Sequence, residues 1–193
     1  MMRMLRSHEE FYGKAAMMKG KIAGGAICYT GDLFDPAHTK YSLNYYAGIA
    51  SDLKKAECQV LAIKNMAGLI RPPAARALIA ALRDVTDLPI HLHTHDTSGI
   101  AGATLIATAE AGADAIDVAT DAMSGTTSQP CLGSVVEALR YTTATPVSTP
   151  RQSGGSASIG RVFAGSMRRS RAICAQALRR FISMKCLSVS SRT

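Results

Sequence analysis

Apolar and polar positions along residues 24–140 follow two alternating rhythms. Short apolar runs at Gly25-Ala-Ile-Cys-Tyr-Thr30, Gln59-Val-Leu-Ala-Ile63, Leu88-Pro-Ile-His-Leu-His93 and Ala115-Ile-Asp-Val-Ala119 read as strands. Helix-spaced stretches separate them. The first opens at Asp35-Pro36, with Asp as N-cap and Pro in the first turn, and carries Leu43, Tyr46, Ala47, Ala50 and Leu53 on one face. The second runs from Pro72-Pro73 through Leu78, Ile79 and Leu82, the third from Ala101 to Ala111, and the fourth from about Leu132 to Arg140. Strands begin roughly 30 residues apart, the spacing of βα units on a parallel sheet. Two α/β architectures accommodate four such units: a small doubly wound sheet, or half of a (β/α)8 barrel. A whole barrel typically takes about 250 residues, more than this chain of 193 provides.

Polar residues gather just after each strand: Thr30 and Asp32; Lys64 and Asn65; His93, His95 and Asp96; Asp121 and Ser124. Both architectures place ligands at the carboxyl ends of parallel strands, so the four clusters are expected on one rim. Capping of loops accounts for any one of them alone.

Composition changes the picture in one respect. The formal charge is +8, from 22 Lys plus Arg against 14 Asp plus Glu, which invites a polyanion partner. Its distribution argues otherwise. Residues 1–137 hold 12 basic and 14 acidic side chains, whereas residues 138–193 hold ten basic and no acidic ones. The body is near neutral, and the last quarter is an Arg/Ser-rich tail without an RNA-binding motif. Hydrophobic residues at 47% and a mean hydropathy of +0.08 exclude a wholly disordered chain. No apolar run reaches the length of a spanning helix, and Met1–Lys21 has no apolar signal core. The five widely spaced cysteines read as reduced thiols of a cytoplasmic protein.

The sharpest constellation is His93-Thr94-His95. Residues i and i+2 of a strand point to the same side, so both imidazoles can reach one ion. Imidazole suits zinc, manganese or iron, and Asp96 is a candidate to orient a ligand histidine. Structural histidines are as common in such a pattern. His91 shares the phase but lies deeper and reads as packed. Lys64 ends the neighbouring strand. Its neutral amine can add carbon dioxide to give a carbamate, an anionic oxygen ligand; a solvated lysine is the plainer reading.

Four motifs, Ala26-Ile-Cys-Tyr-Thr-Gly-Asp32, Ile63-Lys-Asn-Met-Ala-Gly-Leu69, His91-Leu-His-Thr-His-Asp-Thr-Ser-Gly99 and Met123-Ser-Gly-Thr-Thr-Ser-Gln-Pro130, closely resemble the carboxyltransferase domain of the pyruvate carboxylases. The resemblance covers about residues 20–140, in order and nearly without gaps. It implies a partial TIM (β/α)8 barrel, its fifth to eighth strands. It implies that Lys64 is an N6-carboxylysine and metal ligand, and that His93 and His95 are the imidazole ligands of a divalent metal, manganese or zinc. It implies transfer of carbon dioxide from biotin, on a carrier domain absent from this chain, to pyruvate, giving oxaloacetate. Full-length members of the family are homo-oligomers, and the resemblance implies neither nucleic-acid nor membrane partners.

Departures accompany the resemblance. The fourth protein ligand of the family, an Asp in R-D-A-H-Q-S, is not in this sequence, nor are the substrate Arg and the proton-shuttling Thr, so no catalytic set is complete. The family reads K-D-M-A-G-L where this chain has Asn65, a candidate neighbour to Lys64 that cannot accept hydrogen bonds as an anion does. Residues 1–19 match nothing in the family.

After Leu139 the resemblance stops. In a neighbouring frame, Ala144 to Arg151 permits D-T-G-L-D-P-A, Ala157 to Arg171 permits Y-W-E-G-V-R followed by Q-Y-A-A-F-E, and Arg180 to Thr193 permits V-Y-L-H-E-M-P-V-G-Q-F-T-N. All three resemble pyruvate carboxylase segments in order, so residues 141–193 read as an out-of-frame, irregular tail. The expectation is a fragment inactive alone. The alternatives are a small basic polyanion-binding protein and a biotin-independent oxo-acid lyase or decarboxylase of the same barrel group.

Overall fold

The computed structural model describes residues 22–37, 39–145 and the backbone of 160–163. Four parallel strands, β1 (Gly24–Cys28), β2 (Val60–Asn65), β3 (Ile90–Thr94) and β4 (Ala115–Val118), lie side by side in chain order. Helices α1 (Leu43–Lys55), α2 (Pro72–Val85), α3 (Ala101–Glu110) and α4 (Leu132–Ala138) alternate with them.

β1, β2 and β3 alternate in burial while β4 is buried throughout, and one face of the sheet meets the helices. Ile27, Leu61, Ile63, Ile90, Leu92, Ile116 and Val118 pack in one hydrophobic cluster with Tyr46, Leu53, Leu78, Ile79, Leu82, Leu105 and Val135 from all four helices. A doubly wound sheet carries helices on both faces and reverses its strand order. Here the order runs 1-2-3-4 with every helix in a single cluster, which is the winding of a barrel arc. The opposite face shows Ala26, Cys28 and Lys64 exposed and Ala62, His91 and His93 half-buried. In a closed barrel this face is the interior.

Local details depart from the sequence reading in two places. Asp35 starts no helix: its Oδ1 accepts from Ala37 N at 2.9 Å in a local turn, and α1 begins at Leu43 behind Ser42, whose hydroxyl accepts from Tyr45 N. Asp and Ser compete for the same capping role, and the one with the apolar face immediately behind it wins. The tail holds a strand, β5 (Gly160–Phe163), antiparallel to β4, where an irregular segment is expected. It pairs the backbone groups that the outer edge of β4 would otherwise leave open. The rest of residues 146–193 and residues 1–21 lie outside the described residues.

Arg83 and Asp114 fasten the amino ends of the strands. Arg83 donates to Leu88 O at 3.0 Å and Gly112 O at 2.7 Å and pairs with Asp114, whose carboxylate accepts from Ile90 N at 2.8 Å. The chemistry at the carboxyl ends therefore stands on a braced base. Among the described residues Cys28, Cys58 and Cys131 are free thiols, and no helix is long and apolar enough to cross a membrane.

Candidate metal centre

Register places the candidate residues in one row. Cys28 pairs with Lys64, and Lys64 with His93. His91 pairs with Ala115 and Leu92 with Ile116, so Asp117 follows in step beside His93. All these side chains rise from the face without helices. Lys64 is exposed, as a residue lining an open barrel interior would be.

His93 and His95 converge. Their Nε2 atoms stand 3.3 Å apart, with the ring planes at 81°. His93 Nδ1 lies 2.8 Å from Asp117 Oδ2, and His95 Nδ1 lies 2.5 Å from Thr127 O. A carboxylate and a carbonyl only accept, so in the neutral form of each ring Nδ1 carries the proton and Nε2 carries the lone pair a metal ion would use. At 3.3 Å the two Nε2 atoms can share a proton or flank a cation. Two nitrogens bound tetrahedrally to zinc, at about 2.0–2.1 Å each, stand about 3.3 Å apart. The pair thus fits a divalent metal in spacing. Among the described residues no group of three or more His, Cys, Asp or Glu side chains is arranged to hold a metal ion, so these two histidines alone do not make a complete site.

The loop after β4 exists in this shape to aim one carbonyl. Gly125 (φ +85°) and Thr126 (φ +51°) turn the backbone left-handed, and Gly125 N donates to Gln129 O at 2.9 Å. Asp96 N donates to Ser128 O at 2.8 Å, which ties this loop to the end of β3. Thr127 O then faces His95.

Two expected neighbours do something else. Asp96 does not orient a histidine: its Oδ1 accepts from Ala101 N at 3.1 Å and caps α3. Asn65 is fully buried on the opposite phase from Lys64. It donates from Nδ2 to Thr94 Oγ1 at 2.9 Å and accepts at Oδ1 from Leu69 N at 2.9 Å. Its backbone carbonyl accepts from His95 N at 3.2 Å. Asn65 therefore props the end of β3 from behind rather than touching Lys64. The carboxylate that does touch a candidate ligand is that of Asp117, whose side chain is 5% exposed. Its signal in the sequence was an ionisable residue inside a four-residue apolar strand.

Gly68 closes the same corner. It has φ +65°, and a Cβ there would meet His95 O at 2.8 Å and Ser98 Oγ at 2.9 Å. Ser98 Oγ donates to Gly68 O at 2.6 Å. Only glycine lets the loop after β2 lie this close to the end of β3.

The remaining rim residues are held in loop structure. Asp32 accepts from Phe34 N at 3.0 Å and pairs with Arg71 at 2.6 Å; that backbone N–H first, then the guanidinium, hold its carboxyl below the usual range. Thr30 donates to Cys28 O, and Ser124 to Asp121 O. Asp121 accepts from Cys131 Sγ and Gly133 N at the start of α4, which lower its pKa in that order. Phe34, Met66, Leu69, Ile100 and Met123 are exposed on these loops, an apolar collar around the rim.

Comparison with known proteins shows the family and the fold. Residues 30–152 match the HMGL-like family, a span that runs past Leu139. The chain is 52% identical over 130 residues to the mitochondrial pyruvate carboxylase of Homo sapiens, covering 67% of this chain and 11% of the relative. It is 52% identical over 111 residues to pyruvate carboxylase of Bacillus subtilis, covering 58% of this chain and 10% of the relative. The solved carboxyl transferase domain of Rhizobium etli pyruvate carboxylase superposes with a TM-score of 0.68 at 54% identity, over 69% of this chain and 22% of that one. The same domain has been solved with pyruvate and biocytin, with the same TM-score and coverage. The chain spans about a tenth of the length of the curated relatives and about a fifth of the solved domain.

Proposed function

The chain belongs to the HMGL-like family, and from that premise we propose that it carries the metal-binding strands of a biotin-dependent carboxyltransferase acting on pyruvate. The observation that carries this reading is the His93–His95 pair, each ring held at Nδ1 by an acceptor and the two Nε2 atoms 3.3 Å apart. Imidazoles held by acceptors on their far nitrogens are the usual ligand arrangement of catalytic divalent metals. Manganese or zinc is the proposed ion.

Lys64 is the proposed third ligand. Its position in the His93 row supports this. Carbamate formation balances simply: the neutral amine attacks carbon dioxide, the N–C bond forms, one N–H proton leaves to solvent, and an anionic oxygen pair remains. That anion would offset the cation's charge and supply the oxygen donors that the described residues do not otherwise provide.

A bound divalent cation polarises a carbonyl oxygen and so favours loss of an adjacent carbon-bound proton. The residues of this chain act around that chemistry. Asp117 and Thr127 O accept from the Nδ1 atoms and aim the two Nε2 atoms at one point. Asn65, Gly68 and Ser98 fix the corner from which His95 projects. The apolar collar favours a partner that excludes water from the rim; a biotin-bearing carrier domain is the proposed partner, pyruvate the proposed acceptor, and oxaloacetate the product.

The sequence given holds no R-D-A-H-Q-S strand, so by itself the chain is proposed to be inactive. Residues from about 141 are proposed to be out of frame; the loss of every acidic residue after Glu137 supports this. The test of function is a chimera. Residues 24–140 replace their counterpart in the Rhizobium etli carboxyl transferase domain. Carboxyl transfer to pyruvate is expected, with loss in Lys64→Ala and His93→Ala. A folded chimera without activity overturns the proposal.

A further inference from the structure

We propose that Asp117 is the positioning residue of the site, holding His93 in the tautomer that can bind a cation; this rests on the metal-centre reading above. Asp117 reaches two histidines with its two oxygens. Oδ2 takes the Nδ1 proton of His93 at 2.8 Å, and Oδ1 stands 3.0 Å from His91 Nε2. The His91 nitrogen is buried and lies outside hydrogen-bond alignment with that oxygen. The carboxylate cannot swing away from His93: its side chain is 5% exposed and His91, 12% exposed, closes the other side.

The consequence is chemical. A neutral imidazole in water prefers the proton on Nε2, which would cap the nitrogen that faces His95. A buried carboxylate at Nδ1 reverses the preference and also increases the electron density at Nε2. His95 has no such carboxylate: its Nδ1 is served by Thr127 O. The two ligands are therefore set by different devices, and only one depends on Asp117. That difference supplies an internal control.

The experiment uses the full chain labelled with 15N, read by long-range proton–nitrogen correlation above the histidine titration range, together with Zn2+ titration. In the parent chain His93 is expected as the Nδ1–H tautomer. In Asp117→Ala it is expected to move to Nε2–H while His95 stays unchanged, and Zn2+ affinity is expected to fall about 10–100-fold. Asp117→Asn, which keeps shape and loses charge, is expected between the two. An Nε2–H tautomer of His93 in the parent chain overturns the proposal without any variant. So does a folded Asp117→Ala or Asp117→Asn chain that keeps Nδ1–H with Zn2+ affinity within about twofold, well short of the loss expected when such a partner is removed. A parent chain that takes up no Zn2+ refutes the metal centre, while the tautomer measurement still decides the role of Asp117.

Discussion

Lys64 and His93 are register partners on β2 and β3, so their side chains leave the same face of the sheet one strand apart. Neighbouring strands lie about 4.8 Å apart, close enough for a carbamate on Lys64 to share an ion with the imidazole. If Lys64 is a ligand only as its carbamate, dissolved bicarbonate should strengthen Zn2+ binding to the chain. In Lys64→Arg, which keeps the charge and cannot be carboxylated, the bicarbonate dependence should vanish. Zn2+ titrations with and without bicarbonate read the difference directly.

Gly68 is the position where a single methyl group should matter most. Gly68→Ala forces a side chain into left-handed backbone and against His95 O. A loss of about 1–3 kcal/mol is expected from the backbone alone, measured by urea unfolding. The His95 ring should also lose its fixed place, visible as a weakened Thr127 contact in its nitrogen shifts.

Asn65 predicts a stability effect without direct contact with a ligand. Its Oδ1 is the acceptor for Leu69 N, and the side chain is fully buried. Asn65→Leu should leave that N–H unpaired at a cost of about 1–3 kcal/mol. Thermal unfolding checks this; an unchanged melting temperature would mean the loop after β2 finds another acceptor.

Acid should loosen the rim before the core. The pKa of Asp32 is depressed in the folded state, chiefly by Phe34 N–H and then by Arg71. A depressed carboxyl stabilises the fold above its unfolded pKa, about 3.9, and that contribution disappears as pH falls through the lower folded value. The Asp32–Arg71 pair is half-exposed, so it is worth no more than about 1 kcal/mol. Asp32→Asn should therefore melt slightly lower than the parent chain at neutral pH and converge with it below about pH 4.

Much of this arrangement was legible from local pattern. Short apolar runs spaced about 30 residues apart located β1 to β4, and the i, i+2 rule put His93 and His95 on one side. The choice between a doubly wound sheet and a barrel arc was not legible, because it depends on which side each helix takes, a property of the whole sheet. Asp96 looked like the partner of a histidine because it is adjacent in sequence; the partner is Asp117, 24 residues on, delivered by register between strands. Thr127 acts through a backbone carbonyl and leaves no mark in residue type. Asp35 and Ser42 are both good caps, and only packing selected Ser42. The strand at Gly160–Phe163 has no hydrophobic periodicity behind it.

The out-of-frame reading of residues 141–193 has its own check at the nucleotide level. The other frame should extend from about residue 141 into uninterrupted pyruvate carboxylase-like sequence ending in G-Q-F-T-N. A neighbouring frame with no such continuation would contradict it.

The most direct test of the central claim is the metal stoichiometry of the purified chain, measured by equilibrium dialysis with Zn2+ and elemental analysis. The structure of the His93–His95 pair predicts one ion per chain, lost in the His93→Ala/His95→Ala double variant with the fold intact. No bound ion, or one ion that the double variant retains, would contradict it.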